Sequence, residues 1–317
     1  MASRTLLIAI VCGLLAAFAF VSPLSLGGLG IVLSTFTALP LFVSALGFGT
    51  VAGAISGAVA FAVVAFFFTP FVAFIVAIAT LVPALIIGHL AGLMRDDDGV
   101  QEWYPLSRIF TVMVLISAAI ATAMLGFSGY SAASVEEAAL QVMRDFVATM
   151  PEENRSGVTD DVLANQARLF AEFMPVIIPA SALLVFALNL HLATRIARRA
   201  GWMLRPRDHI PSQVALPQAM AALFAAALVL AFLGGSIGLG GRILAGALGM
   251  AFLMIGFATL HHLTQPLAAR GFLLGMTYGL LFLPLISQLI AFGVLMLGLS
   301  ETIFGLRARR AVPPPTV

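Results

Sequence analysis

The stretch from Ala38 to Pro70 reads ALPLFVSALGFGTVAGAISGAVAFAVVAFFFTP and decides the fold. It contains a short apolar segment marked by Pro40, a glycine turn, and a second apolar segment long enough to cross a bilayer. Gly49, Gly53 and Gly57 recur every four residues, so they share one helical face and let a neighbouring backbone approach closely. We predict that this stretch is the packing centre of a helical membrane protein.

The composition excludes a water-soluble protein. Of the 317 residues, 61% are hydrophobic and only 9% are charged, whereas soluble domains carry about 25% charged residues. The mean hydropathy is +1.09, and the charges cluster between long apolar runs, which is the pattern of a multi-spanning bundle. We therefore predict an all-α, polytopic transmembrane helical bundle of eight or nine spans, surrounded by the lipid bilayer.

Charge and cysteine content narrow the function classes. All sixteen basic residues are arginine, and the net charge of +2 is too small and too dispersed for a nucleic-acid-binding protein. The single cysteine, Cys12, excludes a disulfide or a thiolate metal site within one chain. Phosphate-loop, dinucleotide and metalloprotease motifs are absent from the sequence, and we expect neither a metal nor a cofactor.

Residues 1–130 form the first predicted membrane region, with five helices. The first span runs from Thr5 to Val21, and residues 24–38 are expected to form a loop near the outer surface. A short helix is expected to begin or kink at Pro40, which lacks an N–H group. The next predicted spans are Thr50–Phe68, Phe71–Leu93 and a helix that starts at Arg108.

Small residues recur every four positions along the first span, at Ala9, Gly13 and Ala17. Such a face lets two membrane helices pack closely. It fits either internal packing or docking onto a separate membrane subunit, and the sequence leaves both open.

Residues 131–172 are predicted to form an extramembrane helical hairpin. Ser134 and Glu137 fit a capping box, and apolar residues then repeat at helical spacing. Thr159 is predicted to cap the second helix, with two aspartates in its first turn. The segment carries eight acidic residues and three arginines, so the hairpin is amphipathic and net negative.

Residues 173–299 contain the C-terminal membrane helices. Two prolines introduce a sixth span, and the loop 195–213 carries five arginines against a single Asp208. The positive-inside rule makes this loop cytoplasmic, which places the N-terminus in the cytoplasm and the hairpin outside. Further spans are predicted at 216–233 and 242–260, and a basic, proline-rich tail covers 300–317.

The last apolar stretch, 271–299, leaves two topologies open. A single tilted crossing, which its length favours, would place Arg307, Arg309 and Arg310 outside, against the positive-inside rule. A break at Pro284 would let the stretch fold back and keep these arginines inside. The arginines favour the folded-back arrangement.

The run TALPLFVSALGFGTVAGAISGAV at 37–59, the polar hairpin and the ending LGLSETIFGLRARR at 297–310 together resemble the YybS-like family of uncharacterised bacterial integral membrane proteins. The resemblance extends over nearly the whole chain. We accordingly expect a multi-pass protein of the bacterial cytoplasmic (inner) membrane.

The first six spans are also similar to the S components of energy-coupling-factor vitamin transporters. The residues that match that scheme are Pro40, the Phe48-Gly49 turn, and Ala9, Gly13 and Ala17. The resemblance implies that the first helix docks a partner transmembrane subunit and that the outer loops enclose a vitamin. The acidic hairpin and the extra C-terminal region depart from those transporters.

This second resemblance implies that Ser34, Thr35 and Thr37 bind a small molecule, because it places their loop over the ligand. The alternative is that these hydroxyls bond back to their own helix.

Other polar residues inside the spans are few. Asn189, Gln265 and Gln288 are predicted to be interhelical hydrogen-bond partners. Acidic residues are absent from the middle of the predicted spans, which argues against a proton-coupled carrier.

A serine motif raises one catalytic alternative. Gly126-Phe127-Ser128-Gly129 fits the G-x-S-G string of rhomboid-like intramembrane proteases, with His191, His261 or His262 as a base by chain order. However, Ser128 ends a span rather than starting one, and we assign no catalytic residue.

The sequence supports three function hypotheses. The first is a non-enzymatic substrate-binding or transport-associated subunit that works with another membrane protein and binds a small molecule. The second is a membrane scaffold or assembly factor that binds other proteins through the hairpin and the arginine-rich loop. The remote third is an intramembrane hydrolase.

Overall fold

The computed structural model describes residues 3–97, 100–127, 129–155 and 157–310, and within them nearly every element is a helix. The N-terminal half contains α1 (Ser3–Val21), α2 (Pro23–Ser34), α3 (Ala38–Phe48), α4 (Thr50–Phe67), α5 (Pro70–Val76) and α6 (Val82–Gly92). A π-helical turn at Ala77–Leu81 joins the last two. An antiparallel ribbon of β1 (Met94–Asp97) and β2 (Val100–Trp103) precedes α7 (Leu106–Phe127).

The C-terminal half contains α8 (Ala132–Ala148), α9 (Asp160–Arg199), α10 (Ile210–Gln213), α11 (Ala219–Ala231), α12 (Gly235–Thr264), α13 (Arg270–Leu280), α14 (Pro284–Phe304) and α15 (Leu306–Arg310). A 3-10 turn at Glu152–Asn154 separates α8 from α9. By length and composition, seven helices of the described part can cross a membrane, and the bent pair α2–α3 makes an eighth. The predicted all-α, polytopic class is confirmed.

The glycine turn after α3 positions the centre of the bundle. Gly49 adopts a φ of 89°, where a side chain is disfavoured, and α4 begins at the next residue. Gly53 lies against Ala45, and a Cβ at Gly53 would come within 2.8 Å of the alanine side chain. The short helix α3 contacts α1, α4, α6 and α9, and its Phe42 is fully buried. It therefore lies at the packing centre of the N-terminal half.

Helix α1 packs along α4 through small residues. Ala9 and Gly13 are buried, and a Cβ at Gly13 would meet the carbonyl oxygen of Ser56. The Ser56 hydroxyl donates to the carbonyl of Ala9 over 2.9 Å, and Phe20 meets Phe68 farther along with ring centroids 6.2 Å apart. The two helices therefore run parallel and start at the same end of the bundle.

The expected loop at 24–38 is instead mostly helix. α2 folds back on the end of α1, where Gly30 lies against the Ser22 backbone and accepts a hydrogen bond from the Ser22 hydroxyl over 2.9 Å. The chain bends by 51° between α2 and α3, just before Pro40. Pro40 lies in the first turn of α3, where its missing N–H group leaves no helical hydrogen bond unmade.

The polar segment after α6 contains the β ribbon, in which Met94 pairs with Trp103. Of the two helix caps predicted for the hairpin, one is wrong and one is confirmed. Helix α8 begins after Ser131, so Ser134 lies inside the helix and its hydroxyl donates to the Ser131 carbonyl instead of forming a capping box with Glu137. The predicted cap at Thr159 is confirmed, since its side chain accepts the backbone N–H of Val162.

Helix α9 joins the hairpin to the membrane region without a break. It has 40 residues and passes through Pro175, Pro179 and the expected domain boundary at 172/173. Its apolar part, 173–194, is about 33 Å long, which matches the 30 Å or so of a bilayer core. The segment 160–172 extends about 20 Å farther and packs against α8.

The last apolar stretch folds back, as the arginines favoured. α13 and α14 are separate helices. Glycines at 256 and 298 allow α14 to approach α12 closely, since a Cβ at Gly256 or Gly298 would meet the opposing backbone. Beyond α14, Arg307 donates to the carbonyl of Pro211 over 2.8 Å. The single tilted crossing is therefore wrong, and the tail returns to the loop 195–213.

The predicted span at 216–233 is also shorter than expected. Only α11, with 13 residues, is helical there, and its length of about 20 Å is less than a bilayer core of about 30 Å. Gly238 and Gly241 let the start of α12 pack on the backbone at the end of α11. α11 is therefore shorter than a full crossing and packs tightly on α12, which is itself long enough to cross the membrane.

The bundle has two chemically different ends. At the arginine end, defined by the loop 195–213, Trp202 meets Phe48 with ring centroids 5.1 Å apart, and Arg205 donates to the carbonyl of Ala91 over 3.2 Å. The start of α1 and the end of α14 also lie here. The hairpin end carries α8, the first part of α9 and the end of α7.

Candidate functional site

The break between α2 and α3 interrupts what would otherwise be one span. At Thr35, Phe36 and Thr37 the backbone amides bond to carbonyls three residues earlier, and the regular α-helical ladder stops. Within a bilayer, irregular backbone is tolerated only where protein covers it or where it lines a cavity. Broken spans of this kind form substrate and ion sites in many transporters.

The three predicted ligand hydroxyls lie at this break. Ser34 donates to the carbonyl of Ile31 over 2.8 Å, and Thr35 donates to that of Val32 over 2.7 Å. Thr37 donates to the carbonyl of Ser34 over 2.7 Å. Each hydroxyl is thus satisfied within its own segment, and a role for them in ligand binding stays a prediction.

Asn189 of α9 holds the break from across the bundle. Its Nδ2 donates to the carbonyls of Thr35 and Val185, each over 2.8 Å. The expectation that Asn189 is an interhelical hydrogen-bond partner is confirmed. The residue is 0% exposed, and its Oδ1 has no hydrogen-bond partner among the described residues. A buried polar atom left unpaired costs about 1–3 kcal/mol, so a bound molecule that donated to this oxygen would be stabilised.

Asn189 lies towards the arginine end of the apolar part of α9. Along the helix it is about 24 Å from residue 173 and about 8 Å from residue 194. The α2–α3 break that Asn189 holds therefore lies within the apolar part of the bundle, nearer to its arginine end than to its middle.

The polar groups around α3 are uncharged. Besides Asn189 at its start, α3 is fastened through Ser44, whose hydroxyl oxygen lies 2.8 Å from that of Ser56. A group of three side chains able to hold a metal ion is not found in the part of the chain that the structure describes. The polar groups that hold α3 are thus hydroxyl, amide and carbonyl groups.

Comparison with known proteins gives one match. A family model described as a predicted membrane protein, DUF2232, covers residues 13–300. The chain belongs to the DUF2232 family. The matched region includes the α2–α3 break, Asn189 and the hairpin. No curated protein and no solved structure matches the chain.

The DUF2232 chain buries the predicted small-residue face inside its own bundle. Ala9, Gly13 and Ala17 are all buried, so this face is not free to dock a separate subunit. Among the glycines of the opening stretch, Gly49 forms the turn and Gly53 meets α3. Gly57 differs, because no atom of another element lies within 4 Å of where its Cβ would be.

The candidate bases of the protease motif lie away from the hairpin end of the DUF2232 chain. Ser128 itself lies outside the described residues. Nearby Tyr130, whose pKa is raised by burial, donates to the carbonyl of Ala171 over 2.6 Å, whereas His191 lies about 30 Å farther along α9. His261 and His262 lie in the last turn of α12, towards the arginine end. These histidines do not reach the hairpin end.

A second candidate surface lies on the hairpin. α8 and the adjoining part of α9 enclose an open groove of about 500 Å³. Its walls are almost entirely apolar and include Val135, Ala139, Val142, Met143, Phe170 and Met174. An exposed apolar groove of this kind is typical of an interaction site.

Proposed function

We propose that this DUF2232 protein is a non-enzymatic, substrate-binding or transport-associated membrane subunit. The observation that carries the proposal is the break at 35–37 held by Asn189, which keeps an unused acceptor within the apolar part of the bundle. Polar groups inside a membrane bundle are expensive to bury and commonly mark substrate or ion pathways. A neutral acceptor beside interrupted backbone suits a small ligand that donates hydrogen bonds.

The sequence resemblances support the same proposal. The similarity to transporter S components implies a vitamin-binding subunit, and the YybS-like resemblance implies a bacterial integral membrane protein. The buried face of α1 opposes one detail, because Ala9, Gly13 and Ala17 already pack internally. A partner subunit would therefore dock on another face of the bundle.

We also propose a bacterial cytoplasmic-membrane location with the N-terminus inside and the hairpin outside. The start of α1, the loop 195–213 and the tail arginines share one end of the bundle. The segment 131–172, with eight acidic residues and three arginines, lies at the other. The positive-inside rule favours this orientation.

Mass spectrometry of the protein purified in mild detergent tests ligand binding. We expect the wild-type chain to retain a small molecule that the Asn189→Ala variant retains at least tenfold less, because the variant lacks the free acceptor. Leu188→Ala is the matched control, since the neighbouring Leu188 side chain is partly exposed on the outer surface of the same helix.

Size-exclusion profiles must first show that the wild type, Asn189→Ala and Leu188→Ala are all folded. Equal retention by the wild-type chain and Asn189→Ala would show that the retained ligand does not bind at Asn189. The absence of any retained molecule from the folded wild-type protein would count against a substrate-binding subunit.

A membrane scaffold or assembly factor is the second candidate function. It is favoured by the exposed apolar groove on the hairpin, which the site at Asn189 does not explain. In this role the hairpin would bind another protein outside the membrane.

A further inference from the structure

The hairpin exposes large apolar side chains, from Phe173 at the start of the apolar span of α9 to Phe146 on α8. Val142 is 67% exposed and Phe146 is 61% exposed on α8, and α8 has no buried residue. Phe170 and Phe173 extend this face onto α9. We call these four residues the hairpin face. Large apolar side chains clustered in water indicate a surface that is covered by a partner.

A lipid surface is a poor occupant of the hairpin face. The uninterrupted helix α9 carries the segment 160–172 about 20 Å beyond the apolar span, so most of the hairpin extends beyond the bilayer, with Phe173 at the boundary. Helices that lie on membranes are rich in basic residues, whereas this segment has eight acidic residues and three arginines. Anionic headgroups would repel it.

A second copy of the chain is also a poor occupant. A two-fold interface brings the same patch of both subunits together, which here would juxtapose two acidic hairpins. The three arginines offset only three of the eight acidic charges, which leaves each hairpin net negative. Arg144 pairs with Asp160 at 3.3 Å, and Arg155 donates to the carbonyls of Ala148 and Met150. Like charges brought together at an interface oppose association.

We propose that the hairpin face binds a basic amphipathic helix of another protein. An apolar groove between two helices accepts the apolar side of a third helix, and Met143 and Met174 in its walls can adapt to the side chains of the partner. Asp145 borders the exposed apolar residues Val142 and Phe146 and supplies a complementary charge. This proposal rests on the scaffold function and is independent of the site at Asn189.

The test uses the full chain in nanodiscs of zwitterionic lipid and a fluorescent 18-residue helical peptide of leucine and lysine. Anisotropy titration should show saturable binding above the baseline of empty nanodiscs, weakened when salt is raised. The double variant Val142→Gln, Phe146→Gln should bind at least tenfold more weakly. Asp145→Asn combined with Glu137→Gln should weaken binding and reduce its salt dependence.

Leu204→Gln is the control, because Leu204 is 87% exposed but belongs to the arginine end; its affinity should equal that of the wild type. Equal binding of a leucine–glutamate peptide, or unchanged binding by the Val142→Gln, Phe146→Gln variant, would overturn the proposal. A disulfide between two copies of the Phe146→Cys, Cys12→Ser variant would point to a second copy as the occupant and would also overturn it. Binding of the hairpin to added anionic vesicles would overturn it in favour of a lipid surface. Ligand retention at Asn189 is measured separately and does not depend on any of these outcomes.

Discussion

Arg307 and Glu301 form a buried ion pair that closes the arginine end of the bundle. The Nε of Arg307 lies 2.8 Å from Oε1 of Glu301, and its backbone N–H donates to Oε2 over 2.9 Å. The remaining guanidinium nitrogens donate to the carbonyls of Pro211 and Val214, each over 2.8 Å. The end of the chain is thereby fastened to the segment that leads into α11.

Arg307→Ala is expected to destabilise the protein strongly. The substitution leaves the Glu301 carboxylate and two carbonyls buried without their donor, and breaking a buried pair costs about 3–5 kcal/mol. Thermal unfolding in detergent should show a clear loss of stability, while Arg309→Ala, at an exposed position of the same helix, should have little effect. The double variant Glu301→Leu, Arg307→Met should recover part of the loss, because it removes both charges.

Asn189→Ala is expected to lower stability by about 1 kcal/mol, the range found for interhelical hydrogen bonds in membranes. The variant frees the Thr35 carbonyl and loosens the α2–α3 break. Hydrogen exchange should therefore rise at residues 35–39 more than elsewhere, whereas Leu188→Ala should leave this segment unchanged. Uniformly faster exchange along the whole chain would show that Asn189 does not act locally on the break.

The membrane orientation can be measured with single cysteines, because the natural chain has only Cys12. In a Cys12→Ser background, Val142→Cys should react with an impermeant maleimide on intact cells from which any outer envelope has been removed. Leu204→Cys and Arg309→Cys should react only after permeabilisation. Labelling of Arg309→Cys on the same side as Val142→Cys would contradict the folded-back C-terminal topology.

Sequence reasoning recovers the elements that single local signals define. The span Thr50–Phe67 follows from an uninterrupted apolar run between a glycine turn and Thr69-Pro70, and Thr159 is recognised as a cap from its position before two aspartates. Segment 24–34 is missed because its glycines and lack of charge resemble those of a linker, although lipid surroundings favour helix wherever backbone groups must be satisfied. Composition alone does not distinguish these two cases.

The candidate site depends on contacts that local patterns do not encode. Asn189 and Thr35 are 154 residues apart, and neither has a local motif that names the other. The only available signal was a lone asparagine in an apolar span, which predicted an interhelical hydrogen bond but not its acceptor. The prediction placed the ligand on the hydroxyls of Ser34, Thr35 and Thr37, whereas the unused polar atom belongs to the residue that supports them.

Gly13→Ala and Gly57→Ala add the same methyl group to neighbouring helices, but only Gly13→Ala should lower the stability of the protein. At Gly13 the new Cβ would lie 2.5 Å from the Ser56 carbonyl oxygen and 2.7 Å from the Val59 Cβ, so α1 must move away from α4 at a cost of about 1–3 kcal/mol. At Gly57 the methyl group meets open space, and the higher helix propensity of alanine should be neutral or stabilise by up to about 1 kcal/mol. Thermal unfolding of the two variants in one detergent measures the difference, and equal midpoints would refute the close α1–α4 contact.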